Sequence, residues 1–340
     1  MGTEHSQPQS QSDEEVIAEF FGFFPENYMN VGIDESLLMF SGTNSTAQLV
    51  GYSSKLQEQL IDQLPAFVEK VGGVLQGFTP VPNAVGLGAF VISTILQIAF
   101  IAIKGSSGSS GPSPIDMLRQ VFAEEKSSKV RDLMQEYLKR YKMYLYDDFH
   151  LLEETVRLEK DLSLQITELQ NSMLVDKQMS SRAVKHWVNG AAFHAQMLIH
   201  IARLKQGTAG FESAKRASSN AVDDYPRHMT EILERYKKYK LSTLTVNFEA
   251  SCVSYQSGYG PGFTNCLTFC QFEVTEMRYI RTVDHKYCRP SLSSDSYLKY
   301  FFSNDKKLTE IQMYFKNLQN NLDYLANQRG KFVFEKKNLN

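Results

Sequence analysis

The positions of apolar and charged residues divide this chain into segments of very different character. No charge falls between Lys70 and Lys104, and residues 84–103 read AVGLGAFVISTILQIAFIAI. At about 1.5 Å rise per residue, a helix over this run spans roughly the 30 Å hydrocarbon core of a bilayer. Upstream, Leu56, Leu60, Ile61, Leu64, Phe67, Val68, Val71 and Leu75 recur at spacings of three and four. That pattern predicts an amphipathic helix over 54–76, kinked at Pro65. Pro80 and Pro82 separate it from the apolar run, and the GSSGSSGPSP after Lys104 reads as a flexible linker.

From Ile115 to Asn189 there is neither glycine nor proline. Leu133, Tyr137, Tyr141, Leu145, Phe149, Leu152 and Val156 form an apolar stripe that Leu162, Ile166, Leu169 and Met173 continue. This predicts one uninterrupted helix from Ile115 to about Ser172, on the order of 85 Å long. A turn over 175–181 leads to a second helix over 181–206, with Val184, Trp187, Val188, Ala191, Ala195, Leu198, Ile199 and Ala202 facing inwards. Residues 207–223 read as a loop, and a further helix begins near Asp224 and Pro226 and runs to about Lys240. Residues 241–249, 267–274 and 277–283 carry β-type residues around the glycine-rich SGYGPGF. Residues 306–328 are amphipathic again.

The fold class expected is mostly α: an elongated antiparallel helical bundle with a hydrophobic helical segment and a small C-terminal antiparallel β-element. Residues 1–50 are expected to be a flexible tail and aromatic loop region, and 51–240 the bundle, with apolar segment 84–103 and linker 105–114. Residues 241–290 are the cysteine-containing β-element, and 291–340 a last helix and tail.

Charge narrows the function classes. Thirty-six basic against 38 acidic residues argue against a phosphate-backbone binder, so no nucleic-acid partner is expected. The polar, acidic start has no apolar leader, which favours the cytoplasm. The four cysteines point the other way. Cys252, Cys266, Cys270 and Cys288 cluster in one late segment, which suits two disulfides and a secreted or membrane-associated protein. Four reduced thiols, or a zinc site from Cys266, Cys270, His285 and Cys288, are the alternatives.

Catalytic motifs are missing: there is no nucleophile elbow, phosphate-cradling glycine loop or H-E-x-x-H. His150 and Glu153–Glu154 read as a solvated helix face, and His194 and His200 as seam residues. The basic run from Arg235 to Lys240 reads as an exposed helix end. No enzyme, cofactor or metal is expected.

The order of amphipathic helix, uncharged apolar segment and long charged-and-apolar helix over 54–240 resembles the cytolysin A-like α-helical pore-forming toxins. It is also similar to the rapunzel-like animal proteins, with YKMYLYDDFHLLEETVRLEKDLSL at 141–164 carrying the likeness. The resemblance implies oligomerisation on a membrane, and the cysteine-bearing element departs from it. The expected function is therefore a soluble monomer that inserts an apolar helix and assembles into a homo-oligomeric pore. Its partner would be a lipid membrane, with a protein or lipid receptor unspecified. The inserting residues would be Val85, Leu87, Phe90, Val91, Ile92, Ile95, Leu96, Ile98, Phe100, Ile101 and Ile103. At about −0.3 to −0.6 kcal/mol each, they favour insertion by roughly −3 to −6 kcal/mol before Gly86, Gly88, Ser93, Thr94 and Gln97 are counted. The linker at 105–111 would be the hinge, and Phe20–Phe24 an interfacial contact. The alternative is an intracellular helical scaffold with the apolar segment as core.

Overall fold

A computed structural model describes residues 12–25, 28, 30–76, 79–104, 129–255 and 263–335. The linker at 105–114, its hinge, the stretch 115–128 and the loop at 256–262 lie outside the described residues. The structure is mostly α, with a three-stranded antiparallel sheet towards the C-terminus. The chain divides into two compact units. One combines residues 1–30, 179–181 and 233–306; the other combines 31–178, 182–232 and 307–340.

In order, the helices are α1 (Asp13–Phe21), α2 (Glu35–Phe40), α3 (Ser45–Glu58), α4 (Leu64–Val74), α5 (Leu87–Lys104) and α6 (Lys129–Met143). They continue with α7 (Asp148–Leu174), α8 (Ser181–Leu204), α9 (Phe211–Thr243), α10 (Ser294–Asn304) and α11 (Lys306–Asn327). Strands β1 (Leu244–Tyr255), β2 (Phe263–Val274) and β3 (Tyr279–Asp284) lie side by side in that order.

Four expectations are corrected. The amphipathic stretch at 54–76 is two helices, because Pro65 sits in the first turn of α4, where its missing N–H has no helical partner to lose. The long helix breaks at 144–147, where Asp147 turns its carboxylate onto the His150 backbone N–H at 3.1 Å and caps α7. The break resets the apolar stripe: Leu151, Thr155, Leu158, Leu162 and Ile166 are buried, whereas Phe149 is 75% exposed. Residues 211–223 are helical, and Pro226 lies inside α9. Proline there removes one backbone bond, and burial of Val222, Met229, Ile232 and Tyr236 outweighs that loss. Finally, residues 13–17 open a helix where a tail was expected. Ser12 and Glu15 cap it reciprocally, at 2.9 and 3.2 Å.

In the larger unit, α8 is the most enclosed element. Every residue from His186 to Arg203 is buried, polar side chains included. Helix α5 packs against α2, α3, α4 and α6, and its Phe90 meets Phe193 of α8 edge-on at 6.2 Å. In the smaller unit, one face of the sheet holds Leu244, Cys270, Phe272 and Val274 against Ile17, Phe20, Tyr297 and Leu298. Phe24 stacks on Phe272 at 4.6 Å and Phe20 lies 4.3 Å from Tyr297. The Phe20–Phe24 cluster is thus a core of this unit, with Phe20 fully buried, rather than an interfacial contact.

Candidate membrane-inserting segment and stapled sheet

Helix α5 carries no charge before Lys104, and its polar residues Ser93, Thr94 and Gln97 are all buried, so it has no charged stripe to leave in water. Of the predicted inserting residues, Val85, Leu87, Phe90, Val91, Ile92, Ile95, Leu96 and Phe100 are buried. The remaining three lie at the C-terminal end. Ile98 is 46% and Ile101 38% exposed, and Ile103 is half-buried. The structure brings the whole set onto one helix and its entry, and splits it into a sealed part and a surfaced part.

Polar contacts fix the buried part. The Ser45 hydroxyl accepts from the Gly86 N–H at 2.8 Å, and Thr46 donates to the Ala84 carbonyl at 2.8 Å. Ser93 and Thr94 return their hydroxyls to the Phe90 carbonyl at 2.7 and 3.0 Å. The Tyr52 hydroxyl donates to the Gln97 side-chain oxygen, so the one amide in the middle of the helix does not go unpaired. The chain enters α5 through Gly86 at φ 54°, and the Arg203 guanidinium lies against it where a Cβ would stand. Gly88 is packed just as closely: a Cβ there would fall 1.9 Å from the Asn83 carbonyl oxygen.

Arg203, in the last turn of α8, is buried, and its hydrogen bonds among the described residues go to backbone carbonyls. Its Nε donates to the Leu325 carbonyl at 2.6 Å, and Nη1 to the Val85 carbonyl at 3.3 Å. Leu325 belongs to the last turn of α11, whose carbonyls have no helical partners, so the cation suits that helix end. Burial lowers the guanidinium pKa to about 10, against the opposing effect of Tyr141 and Tyr137. One turn earlier, burial pushes the His200 imidazole down to about 3, and neighbouring Arg203 adds to the shift. Composition conceals such residues: a helix with six buried polar side chains reads as an ordinary amphipathic one.

The smaller unit has its own buried charge. Lys240 ends the basic run read as an exposed helix end, yet it is fully buried. It pairs with Glu276 at 2.7 Å, donates to the Tyr28 carbonyl at 2.8 Å and lies 3.9 Å from the centre of the Tyr28 ring. Burial lowers the ammonium pKa despite Glu276. Burial also raises the Glu276 carboxyl, but Lys240 and the Ser181 donors outweigh it and hold the carboxyl low.

All four cysteines are bridged, Cys252 to Cys266 and Cys270 to Cys288. This excludes the free-thiol and zinc alternatives, and no cluster able to hold a metal occurs among the described residues. The first bridge is a rung between directly opposed residues of β1 and β2; the second ties β2 to the segment after β3. Strand β3 pairs only with 269–274, so the distal ends of β1 and β2 continue as a two-stranded ribbon. His194 accepts or donates at both ring nitrogens, to the half-buried Glu159 at 2.8 Å and to buried Tyr225 at 2.6 Å. His150 is exposed, as expected, and bonds to Asp147. No family model, curated protein or solved structure matches this chain.

Proposed function

We propose that this is a non-enzymatic, membrane-active protein whose water-soluble form folds α5 away, releases it to a bilayer and assembles there with further copies into a pore. The observation that supports the reading is the helix itself. It carries no charge before Lys104 along a length able to span a membrane, and Ile98 and Ile101 in its C-terminal half are uncovered. An apolar helix that breaks the surface at one end offers lipid a place to start.

A second reading is an ordinary core helix in an interaction scaffold. It is favoured by the bonds from Ser45, Thr46 and Arg203 that fix the entry to α5 at residues 84–86, and by the bond from Tyr52 to Gln97 within the helix. The two readings part on one pair of substitutions. Ile98→Asp and Ile101→Asp alter exposed positions, so folding should change by no more than about 0.5 kcal/mol. In a bilayer each aspartate would oppose insertion by roughly 2.5–3.5 kcal/mol. The membrane reading therefore expects dye release from liposomes by the wild type, lost in the double variant at unchanged melting temperature. Release that survives both aspartates, or no release from any lipid composition, leaves the scaffold. Val91→Asp serves as the folding control, because a charge at a sealed position unfolds the protein under either reading.

A further inference from the structure

The ribbon formed by β1 and β2 has no use in the reading above, and its chemistry is unusual for a free sheet edge. No charged residue falls between Glu249 and Glu273. Strand β1 is the outer strand of the sheet along its whole length, and every residue from Asn247 to Ser254 is exposed. Val253 is 52% and Leu267 71% exposed. A two-stranded ribbon is marginal in water by itself, and here the Cys252–Cys266 rung holds it beyond the reach of β3. Soluble proteins usually blunt such an edge with lysine, proline or a bulge. Strand β1 carries none of the first two, and its pairing with β2 runs without a bulge from Leu244 to Tyr255.

We infer that the β1 edge is a docking surface for a second copy of this chain, joined by antiparallel β1–β1 pairing about a two-fold axis. Self-pairing meets no direct like-charge pair. Glu249 is the one ionised residue on the strand, so a register centred on Ala250 sets it opposite Ser251 of the second copy. A register centred on Ser251 sets it opposite Val253 instead. Neither brings the two carboxylates face to face, and strand β1 carries no other charge. Backbone geometry agrees. The Cα atoms of Cys252 and Cys266 are 4.0 Å apart, the short spacing of a pair that does not exchange backbone bonds. Cys252 and its alternate neighbours Phe248, Ala250 and Ser254 therefore direct their N–H and C=O groups outwards. Both registers match outward residues to outward residues.

The test is the association state of the full chain with both disulfides formed, followed by sedimentation across micromolar concentrations. The wild type should sediment as a dimer. Ala250→Pro removes an outward N–H without touching a bond to β2, so it should shift the protein to monomer at unchanged circular dichroism. Should proline disturb the ribbon, Phe248→Lys with Val253→Lys restores the missing edge charges and should give the same shift. Hydrogen exchange should show the Ala250 and Cys252 amides protected in the dimer and released on dilution. A wild type that stays monomeric overturns the inference, as does a dimer that survives both sets of substitutions. Liposomes play no part, so this outcome is independent of whether α5 enters lipid.

Discussion

One glycine and one histidine show how much close packing in the larger unit demands of single residues. Gly88→Ala replaces a poor helix former by the best one, a change worth about 1 kcal/mol in an open helix. Here the added methyl would meet the Asn83 carbonyl oxygen at 1.9 Å and the Tyr141 hydroxyl at 2.6 Å, so the sign reverses. Thermal melts should show Gly88→Ala destabilised, whereas Gly51→Ala in α3, with open space around it, should be stabilised by about 0.5–1 kcal/mol. His200 supplies a pH dependence. It lies 5.4 Å from the Tyr141 ring, with Arg203 the charged neighbour, and is neutral in the folded protein down to about pH 3. The unfolded chain takes up that proton near pH 6.5. Between those values the unfolded state binds more protons, so stability falls as pH drops through this window. His200→Phe should flatten that acid limb in chemical denaturation; an unchanged slope would assign it elsewhere.

Among the elements, the sheet is held by two bridges with different tasks. Opening Cys252–Cys266 with serines should loosen only the distal ribbon, seen as faster proteolysis and amide exchange around 250–254 with the base of the sheet intact. Opening Cys270–Cys288, which is buried in the core of its unit, should lower that unit's stability by roughly 3 kcal/mol. Much of this architecture was legible beforehand. The apolar helix, α8, the last helix and the three strands follow from periodicity and β-type residues, and the clustered cysteines pointed to bridges. The break at 144–147 was not legible, because nothing in YLYDD forbids a helix and only the cap at Asp147 ends one. Pro226 misled for the opposite reason: it is a helix breaker by rule, overridden by the burial of Tyr236 and its neighbours. Lys240 was read as solvent-facing because charge is normally exposed, and Arg203 had no motif to single it out; only tertiary contacts reveal their partners.

At the scale of the molecule, the two units differ in what their stability depends on. Both disulfides belong to the smaller unit and none to the larger. Mild reductant should therefore raise amide exchange across β1–β3 while leaving Leu87–Phe100 and His186–Arg203 as protected as before. Equal loss of protection in both would mean that the units unfold as one.

The way Arg203 is placed has a consequence for how the chain comes into being. Helices α2 to α4 leave the ribosome before α5 and can shelter one side of it. Phe193, Arg203, Leu325 and Gly330, which close the other side and its entry, are made much later. Throughout the synthesis of that remainder, the nascent chain carries an ionless segment of bilayer length with one side still uncovered. Its enclosure is completed only when the C-terminal residues of the chain have been made.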